Sequence, residues 1–227
     1  MPKKTFFNLP EEKRALICEV GIVEFARYSY NAASINRIVA NAGIAKGSFY
    51  QYFEDKRDLF MYLMELVSLE KANYIAPVIT NTEQLDIYSL LRELYISGIS
   101  FAEEHPEYAE IANRLLLDRD EAIYKELSAS SMPAANEFFE TLLENAVERG
   151  EVRADLDLKM FAYLIASMNA IVVEYCAANN ARSIDREIMA GIDQFIEFLK
   201  NGMGVRETAG TTMEVTPVID AIEGEQL

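Results

Sequence analysis

Apolar residues recur at three- and four-residue intervals along nearly the whole chain, and this periodicity restricts the fold more than any other feature. After Pro10, for example, the repeat includes Ile17, Ile22 and Phe25, as on the buried face of a helix. The main strand-like stretch is "MEVTPVI" near the carboxyl end. With 227 residues, 51% of them hydrophobic, the chain can bury the core of one large domain or two small ones. We therefore predict an all-α fold.

Capping and breaking residues place the helix ends. Ser34 stands where an N-cap belongs, "NAG" at 41–43 can end a helix, Pro106 fits a first turn, and Gly150 fits a stop. Asp157 and Ser183 fit further N-caps. The first helix is predicted from Pro10 to "RYSYNAAS". Further helices are predicted at about 34–42, 45–52, 56–77, 83–104, 107–118, 121–149 with a break near Met132 and Pro133, 157–179, and 184–200.

The predicted elements form three parts. Residues 1–55 make a three-helix unit, residues 56–200 make a larger helical domain, and residues 201–227 are rich in glycine and helix-breaking residues. The last part is expected to be a flexible or extended acidic tail.

Charge is spread unevenly between the first 60 residues, here called the head, and the rest, called the body. The head has nine Lys or Arg and seven Asp or Glu, whereas the body has twelve and thirty, which together give the net charge of -16. Because a polyanion repels an acidic surface, only the head can approach one.

Two short helices at 34–42 and 45–52, joined by a turn with Gly43, have the spacing of a helix-turn-helix, although an ordinary helical corner is the alternative. If Phe49 and Phe53 face inward with Ile44, polar side chains are left outward on the second helix. Lysine, glutamine and tyrosine suit phosphates and base edges. The outward set is Lys46, Gly47, Ser48, Tyr50, Gln51 and Tyr52.

The stretch "SINRIVANAGIAKGSFYQYFEDKRDLF" resembles the DNA-binding signature of the TetR family of transcriptional regulators, and "ICEVGIVEFARYSY" resembles the first helix of that family. The resemblance covers about residues 11–60. Two positions differ, since Ala45 replaces a frequent capping Ser or Thr and Ser29 replaces the usual Gly. The resemblance implies DNA contacts at Ser34, Arg37, Lys46, Gly47, Ser48, Tyr50, Gln51, Tyr52 and Lys56.

A single short recognition helix makes too few contacts for useful specificity, so we expect a two-fold homodimer that binds a palindromic operator in double-stranded DNA. Apolar stripes on the last two helices resemble the four-helix interface of the family, with ordinary core packing as the alternative. The predicted interface residues are Phe161, Leu164, Ile188, Ile192, Phe195, Ile196 and Leu199.

Aromatic and flexible residues among polar ones in the body suggest a pocket for a small hydrophobic or amphipathic effector, although such residues are more often core. Arg114 and Asn169 interrupt apolar stretches, and a buried polar group needs a partner. A polar ligand could supply it, and so could Glu110 or Glu174. The predicted pocket residues are Tyr95, Phe101, Tyr108, Arg114, Phe138, Tyr163, Met168 and Asn169.

The sequence predicts no catalytic residues, metal or cofactor. His105 is the only histidine, and Cys18 and Cys176 are spaced as two buried thiols in a reducing cytoplasm. We found no signal-peptide-like start and no uncharged apolar run long enough to cross a membrane. The favoured hypothesis is a cytoplasmic, ligand-responsive regulator, most simply a repressor.

Two alternatives stay open at this point. One is an α-helical enzyme whose helix-turn-helix is only a scaffold, with chemistry near Arg114, Tyr163 and Glu174. The other is a dimeric regulator that binds DNA without a ligand.

Overall fold

The computed structural model describes residues 1–80, 85–118, 122–178 and 186–205, and of residues 169–170, 173–178 and 186–187 it describes the backbone alone. The predicted N-cap Ser183 and the predicted tail from 206 onward lie outside these ranges. Within them the chain is helical, as predicted. The helices are α1 (Lys4–Phe7), α2 (Glu11–Arg27), α3 (Ile35–Asn41), α4 (Lys46–Tyr52), α5 (Lys56–Thr80), α6 (Ile87–Glu104), α7 (Pro106–Leu117), α8 (Ala122–Glu148), α9 (Leu158–Ala178) and α10 (Arg186–Met203).

The head is built around buried phenyl rings contributed by α1, α2, α4 and α5. Phe6, Phe49 and Phe53 are fully buried, and Phe25 and Phe60 meet edge to face with ring centroids 4.7 Å apart. Gly21 allows α2 to cross α5 closely, because a Cβ atom there would lie 2.8 Å from Cδ1 of Leu63. The first turns of α5 therefore complete the core of the head.

The body has its own core, formed by α6, α8, α9 and α10. Leu90, Leu143 and Ile165 are among its most buried side chains. Gly150 ends α8 with a φ of 73°, as its position in the sequence predicted. After α10 the chain returns to the α8–α9 connection, where the backbone N–H of Arg153 donates to the carbonyl of Met203 at 3.0 Å.

Two prolines lie inside helices. α5 continues past Pro77 to Thr80, and α8 continues past Pro133, so the predicted break near Met132 is wrong. Pro133 and Ala129, whose carbonyl loses its helical donor at this proline, are both exposed. Water can satisfy that carbonyl, so the helix need not end.

None of the helices in the described parts of the chain is long and apolar enough to cross a membrane.

Candidate nucleic-acid interface

A tight turn holds α3 and α4 at a fixed angle. Gly43 has a φ of 60°, a left-handed conformation that other residues adopt with strain. Ala42 before it is 1% exposed, and Nζ of Lys13 donates to its carbonyl at 2.9 Å. The backbone N–H of Ile44 donates to the carbonyl of Val39 at 3.0 Å. The turn is thus fixed by its backbone and by a lysine from α2.

α4 has one buried and one exposed face, in the register that the sequence predicted. Phe49 and Phe53 are fully buried, and Ile44 is half-buried against the same core. The exposed set consists of Lys46, Gly47, Tyr50 and Gln51, with Ser48 and Tyr52 half-buried. Nothing lies within 4 Å of the Cβ position of Gly47. No intramolecular contact therefore requires a glycine there.

The start of α4 has no side-chain cap, because Ala45 occupies the N-cap position. The N–H of Ser48 donates to the carbonyl of Ala45 at 2.9 Å. Ser34, the N-cap of α3, also makes no side-chain capping bond; its backbone N–H donates to Glu24 instead.

The carboxyl end of α4 is held by the segment around α1, which the sequence analysis did not single out. The last carbonyls of a helix have no partner within the helix. Here the carbonyl of Tyr50 accepts from Nζ of Lys3 at 2.8 Å, that of Gln51 from the hydroxyl of Thr5, and that of Tyr52 from the backbone N–H of Lys3 at 2.8 Å. We call residues 3–6 the N-terminal clasp. The pairs "KK" and "FF" are the sequence signal for this segment, but its position next to α4 is seen only in the fold.

The clasp is anchored by Phe6, which is fully buried. Its ring lies 4.9 Å from that of Phe53 and 5.5 Å from that of Tyr62, measured between centroids. The amino group of Met1 pairs with Asp58 at the start of α5. The clasp therefore joins the end of α4 to α5.

Arg37 is bound within the head, although it was predicted as a DNA contact. Its Nε and Nη2 donate to Oε1 of Glu24 at 2.9 and 2.6 Å, and Nη2 also donates to the carbonyl of Ala32 at 2.8 Å. The guanidinium lies 4.0 Å from the centroid of the Tyr28 ring. The hydrogen bond to Glu24 is the main reason that the pKa of Arg37 is raised. Most of its donors are therefore used in holding α3 to α2.

Glu24 is a functional candidate that the sequence did not reveal. It is 4% exposed, and its Oε1 accepts from the backbone N–H of Ser34 at 2.7 Å as well as from Arg37. A buried carboxylate is stable only when it is paired and hydrogen-bonded. Glu24 thus fixes the beginning of α3.

Lys56 is likewise occupied within the protein. Its Nζ donates to the carbonyls of Tyr30, Asn31 and Ala33 at 2.5, 3.2 and 3.0 Å, which uses all the donors of an ammonium group. Desolvation lowers its pKa. In this geometry Lys56 clamps the α2–α3 loop, and its contact with DNA stays a prediction.

The head and the body are joined by side chains of α5 and α7. Nε of Arg114 donates to the carbonyl of Ala26 at 2.7 Å, and its Nη2 lies 2.9 Å from Oε1 of Glu110. Arg57 at the start of α5 pairs with Glu126 on α8. The partner of Arg114 is therefore the protein itself, including the predicted alternative Glu110.

The other predicted pocket residues lie in different surroundings within the described part of the chain. Phe101 is 4% exposed, Tyr95 packs on Phe195 with centroids 6.0 Å apart, and Phe138 packs on Phe139 with centroids 5.2 Å apart. Met168 packs on the core of the body, and Tyr163 is 53% exposed. Tyr108 lines a cleft between the head and the body. The side chain of Asn169 lies outside the described residues.

The predicted interface residues are mostly inside the subunit. Ile192, Ile196 and Leu199 belong to the core of the body, with Phe161, Ile188 and Phe195 packed against it. Because the interior of the same subunit takes up the apolar stripe of α10, these side chains present little surface to a partner. Leu164 is the member that is exposed. Among the side chains of α9 and α10 that the structure describes, the large apolar ones that are exposed are Met160, Tyr163, Leu164, Ile171 and Phe198.

Within the described residues, no three His, Cys, Asp or Glu side chains are grouped closely enough to hold a metal ion.

Comparison with known proteins places this geometry in a family. Residues 17–63, which span α2 to the start of α5, match the profile described as bacterial regulatory proteins, tetR family. A probable acrEF/envCD operon repressor of Escherichia coli K12 is 25% identical over 186 residues, covering 80% of this chain and 83% of that protein.

Solved structures agree with the match. The crystal structure of a TetR family transcriptional regulator from Chloroflexus aurantiacus is 31% identical, covers 91% of this chain and 100% of that one, and has a TM-score of 0.64. FadR from Bacillus subtilis, solved in complex with stearoyl-CoA, has a TM-score of 0.66 at 16% identity over 83% of this chain and 98% of that one, and so shares the fold. The chain belongs to the TetR family of transcriptional regulators.

Proposed function

We propose that the protein is a cytoplasmic repressor that binds a palindromic operator as a homodimer and responds to a small molecule bound by its body. The observation that carries the DNA-binding part is the division of α4. Two phenylalanines anchor it, while Lys46, Tyr50 and Gln51 face solvent. A solvent-facing helix has no need for this combination of side chains. Lysine and tyrosine suit the phosphates that flank a DNA major groove, and glutamine suits the base edges within it.

In this proposal the residues have different roles. Lys46, Gly47, Ser48, Tyr50 and Gln51 meet the operator directly. Ser34 and Tyr52, both half-buried, contribute their hydroxyls at the edge. Arg37 and Lys56 act mainly by positioning α3, because their donors are used within the head.

The dimer is proposed to form through the exposed apolar faces of α9 and α10. Met160, Leu164 and Ile171 are four and seven residues apart, so they lie on one face of α9. Phe198 on α10 is 63% exposed. Exposed apolar side chains grouped on one helix face, as on α9, are typical of a protein interface. Two heads held by such an interface can reach successive major grooves, about 34–36 Å apart.

An effector in the body is supported by an unpaired polar atom. Oδ1 of Asn136, in the middle of α8, is buried and has no hydrogen-bond partner in the described structure. A donor group on a ligand would satisfy it. Since Arg114 ties α7 to the carbonyl of Ala26 on α2, a shift of α7 would move the head. The ligand needs only a few kcal/mol of differential affinity for the two states.

The test is operator binding by the Lys46→Ala, Tyr50→Phe double variant, measured by fluorescence anisotropy on the DNA upstream of the protein's own gene. We expect affinity to fall at least tenfold with the circular dichroism spectrum unchanged. Lys159→Ala, which removes an exposed lysine from the body, is the matched control. Equal affinity of the double variant and the wild type would refute the proposal. A steep loss of affinity with rising salt further separates DNA binding from a scaffold role.

A further inference from the structure

A cleft of about 590 Å³ opens where the head meets the body. Its walls come from α2, from α5 and from the corner between α6 and α7. Small-molecule sites commonly have volumes of about 300–1,000 Å³ and apolar walls with a few polar groups. The apolar part of this wall consists of Ala15, Ile22, Val23, Leu63, Leu66, Val67 and Leu69, of which Leu63 is fully buried.

The charges on the cleft have one sign. Glu19, Glu70 and Glu107 line it, and no Lys or Arg does so among the described residues. Glu19 and Glu107 form no ion pair in the described structure. The positive charge of Arg14 on α2 is close enough to lower the pKa of the Cys18 thiol, against the larger effect of burial. Its Nη1 donates to the carbonyls of Phe7 and Leu9 at 2.9 and 2.7 Å. The charged side chains that line the cleft are therefore carboxylates, with Arg14 as a cation nearby.

The other titratable groups add no negative charge of their own. The hydroxyl of Tyr108 donates to Oε2 of Glu70 at 2.8 Å, and burial with this bond raises the pKa of Tyr108 to about 12. Burial raises the pKa of the Cys18 thiol to about 11. The ring of His105 stacks on that of Tyr108, with centroids 5.0 Å apart and 9° between the planes. Nε2 of His105 lies 3.8 Å from Oε1 of Glu70.

We propose that this cleft binds a lipophilic organic cation. The apolar part of such a molecule would pack on the leucine and valine side chains of α5, and its positive charge would lie near the carboxylates. The stacked rings of His105 and Tyr108 offer an aromatic surface beside the carboxylate of Glu70, whose Oε1 accepts no hydrogen bond from Tyr108. The site is distinct from the effector position around Asn136 in the body.

The cleft is placed to influence DNA binding, and this part of the inference rests on the proposed function. One wall is α2, which carries Glu24 and so sets the position of α3. The other walls belong to α5 and to the α6–α7 corner of the body. An occupant in contact with both would shift the head relative to the body.

The test uses two rigid ions of the same shape and opposite charge, tetraphenylphosphonium and tetraphenylborate, titrated calorimetrically into the full chain without DNA. We expect the phosphonium to bind at least tenfold more tightly than the borate. The triple variant Glu19→Gln, Glu70→Gln, Glu107→Gln should weaken phosphonium binding at least tenfold. The control triple variant Glu137→Gln, Glu144→Gln, Glu148→Gln changes three exposed carboxylates on α8 by the same charge and should leave binding unchanged.

A second variant tests whether the phosphonium binds in the cleft, independently of the carboxylates. Val67→Trp fills the cleft with a neutral side chain and should abolish phosphonium binding while the helical circular dichroism spectrum stays the same. Absence of phosphonium binding by the wild type, equal binding of the two ions, or equal loss in the two triple variants would overturn the proposal. So would undiminished binding by Val67→Trp.

The link to DNA is measured separately by operator anisotropy with and without saturating tetraphenylphosphonium. We expect at least a threefold change in operator affinity for the wild type and none for Val67→Trp. If the phosphonium binds as expected but operator affinity does not change, the coupling is refuted. If no operator DNA is bound at all, the proposed function fails while the calorimetric result on the cleft stands.

Discussion

The head and the body hold their helices together by different means. α3 and α4 have seven residues each, too short to be stable alone. Their ends are bound by side chains that reach backbone atoms, as Glu24 does at Ser34, Lys56 at the α2–α3 loop, and the N-terminal clasp at α4. The head is thus fixed by directional bonds within one subunit.

The body relies mainly on apolar burial along longer helices, with 27 residues in α8 and 18 in α10, whereas the head adds these backbone bonds to its phenylalanine core. Its core is well buried, yet α9 and α10 keep large apolar side chains on the surface, as at Ile171 and Phe198. On the proposed function, the head is held by contacts within one subunit, whereas the exposed apolar side chains of α9 and α10 are covered by a partner. The variants below test this comparison.

The largest effect is expected from Phe198→Glu. A charge at this exposed apolar position costs an isolated subunit little, but a two-fold interface would bury it twice. We expect the dimer dissociation constant to rise by roughly 1,000-fold, about 4 kcal/mol, at two desolvated carboxylates. Sedimentation equilibrium measures it.

The matched control is Leu117→Glu, which places the same charge at an apolar side chain that is 84% exposed on α7. It should leave the dimer intact. If both variants behave alike, the α9–α10 face is not the interface.

Glu24→Ala probes the opposite side of the comparison, since it removes the carboxylate that holds Arg37 and the N–H of Ser34. Leaving buried donors unpaired costs roughly 2–3 kcal/mol. The free energy of unfolding should fall by this amount in urea denaturation at equal protein concentration, and operator affinity should fall with it. Glu19→Ala, on the exposed face of the same helix, should cost less than about 0.5 kcal/mol. Equal losses would show that the Glu24 network contributes nothing special.

The sequence predicted the helices and the face of α4 because both depend on local spacing. Phe49 and Phe53 are four residues apart, and Gly150 marks a helix end through its own backbone conformation. The predicted helix break at Pro133 is wrong because an interruption also depends on whether water can reach the carbonyl that the proline leaves without a donor.

Local patterns could not predict which helix faces pack against each other. The stripe that includes Ile192 indicates one apolar face of α10, but not whether the same subunit or a partner covers it. The bonds that occupy Lys56 and Arg114 reach carbonyls 23 to 26 and 88 residues away in sequence. A resemblance assigns a residue type to a position, whereas such bonds depend on the packed fold.

Lys56→Met and Lys46→Met distinguish a lysine that holds the α2–α3 loop from a lysine that contacts DNA. Lys56→Met leaves three loop carbonyls without their donor, so unfolding should become easier by roughly 1–2 kcal/mol, with the salt dependence of operator binding unchanged. Lys46→Met should leave stability within about 0.5 kcal/mol of the wild type and reduce the logarithmic salt slope by about 1 per subunit. Urea denaturation and anisotropy at several salt concentrations separate the two. A reduced slope for Lys56→Met would mean that it contacts phosphate after all.

The smallest effect is expected at the clasp, where Thr5→Val removes the hydroxyl that binds the carbonyl of Gln51 without changing any charge. Water can replace this exposed donor, so the free energy of unfolding should change by less than about 1 kcal/mol. Operator affinity should nevertheless fall by roughly threefold at an unchanged salt slope, because the last turn of a seven-residue recognition helix loosens. Thr5→Ser, which keeps the hydroxyl, should restore affinity. If valine and serine bind the operator equally well, the clasp covers the end of α4 without positioning it, and directional bonds matter less to the head than its phenylalanine core.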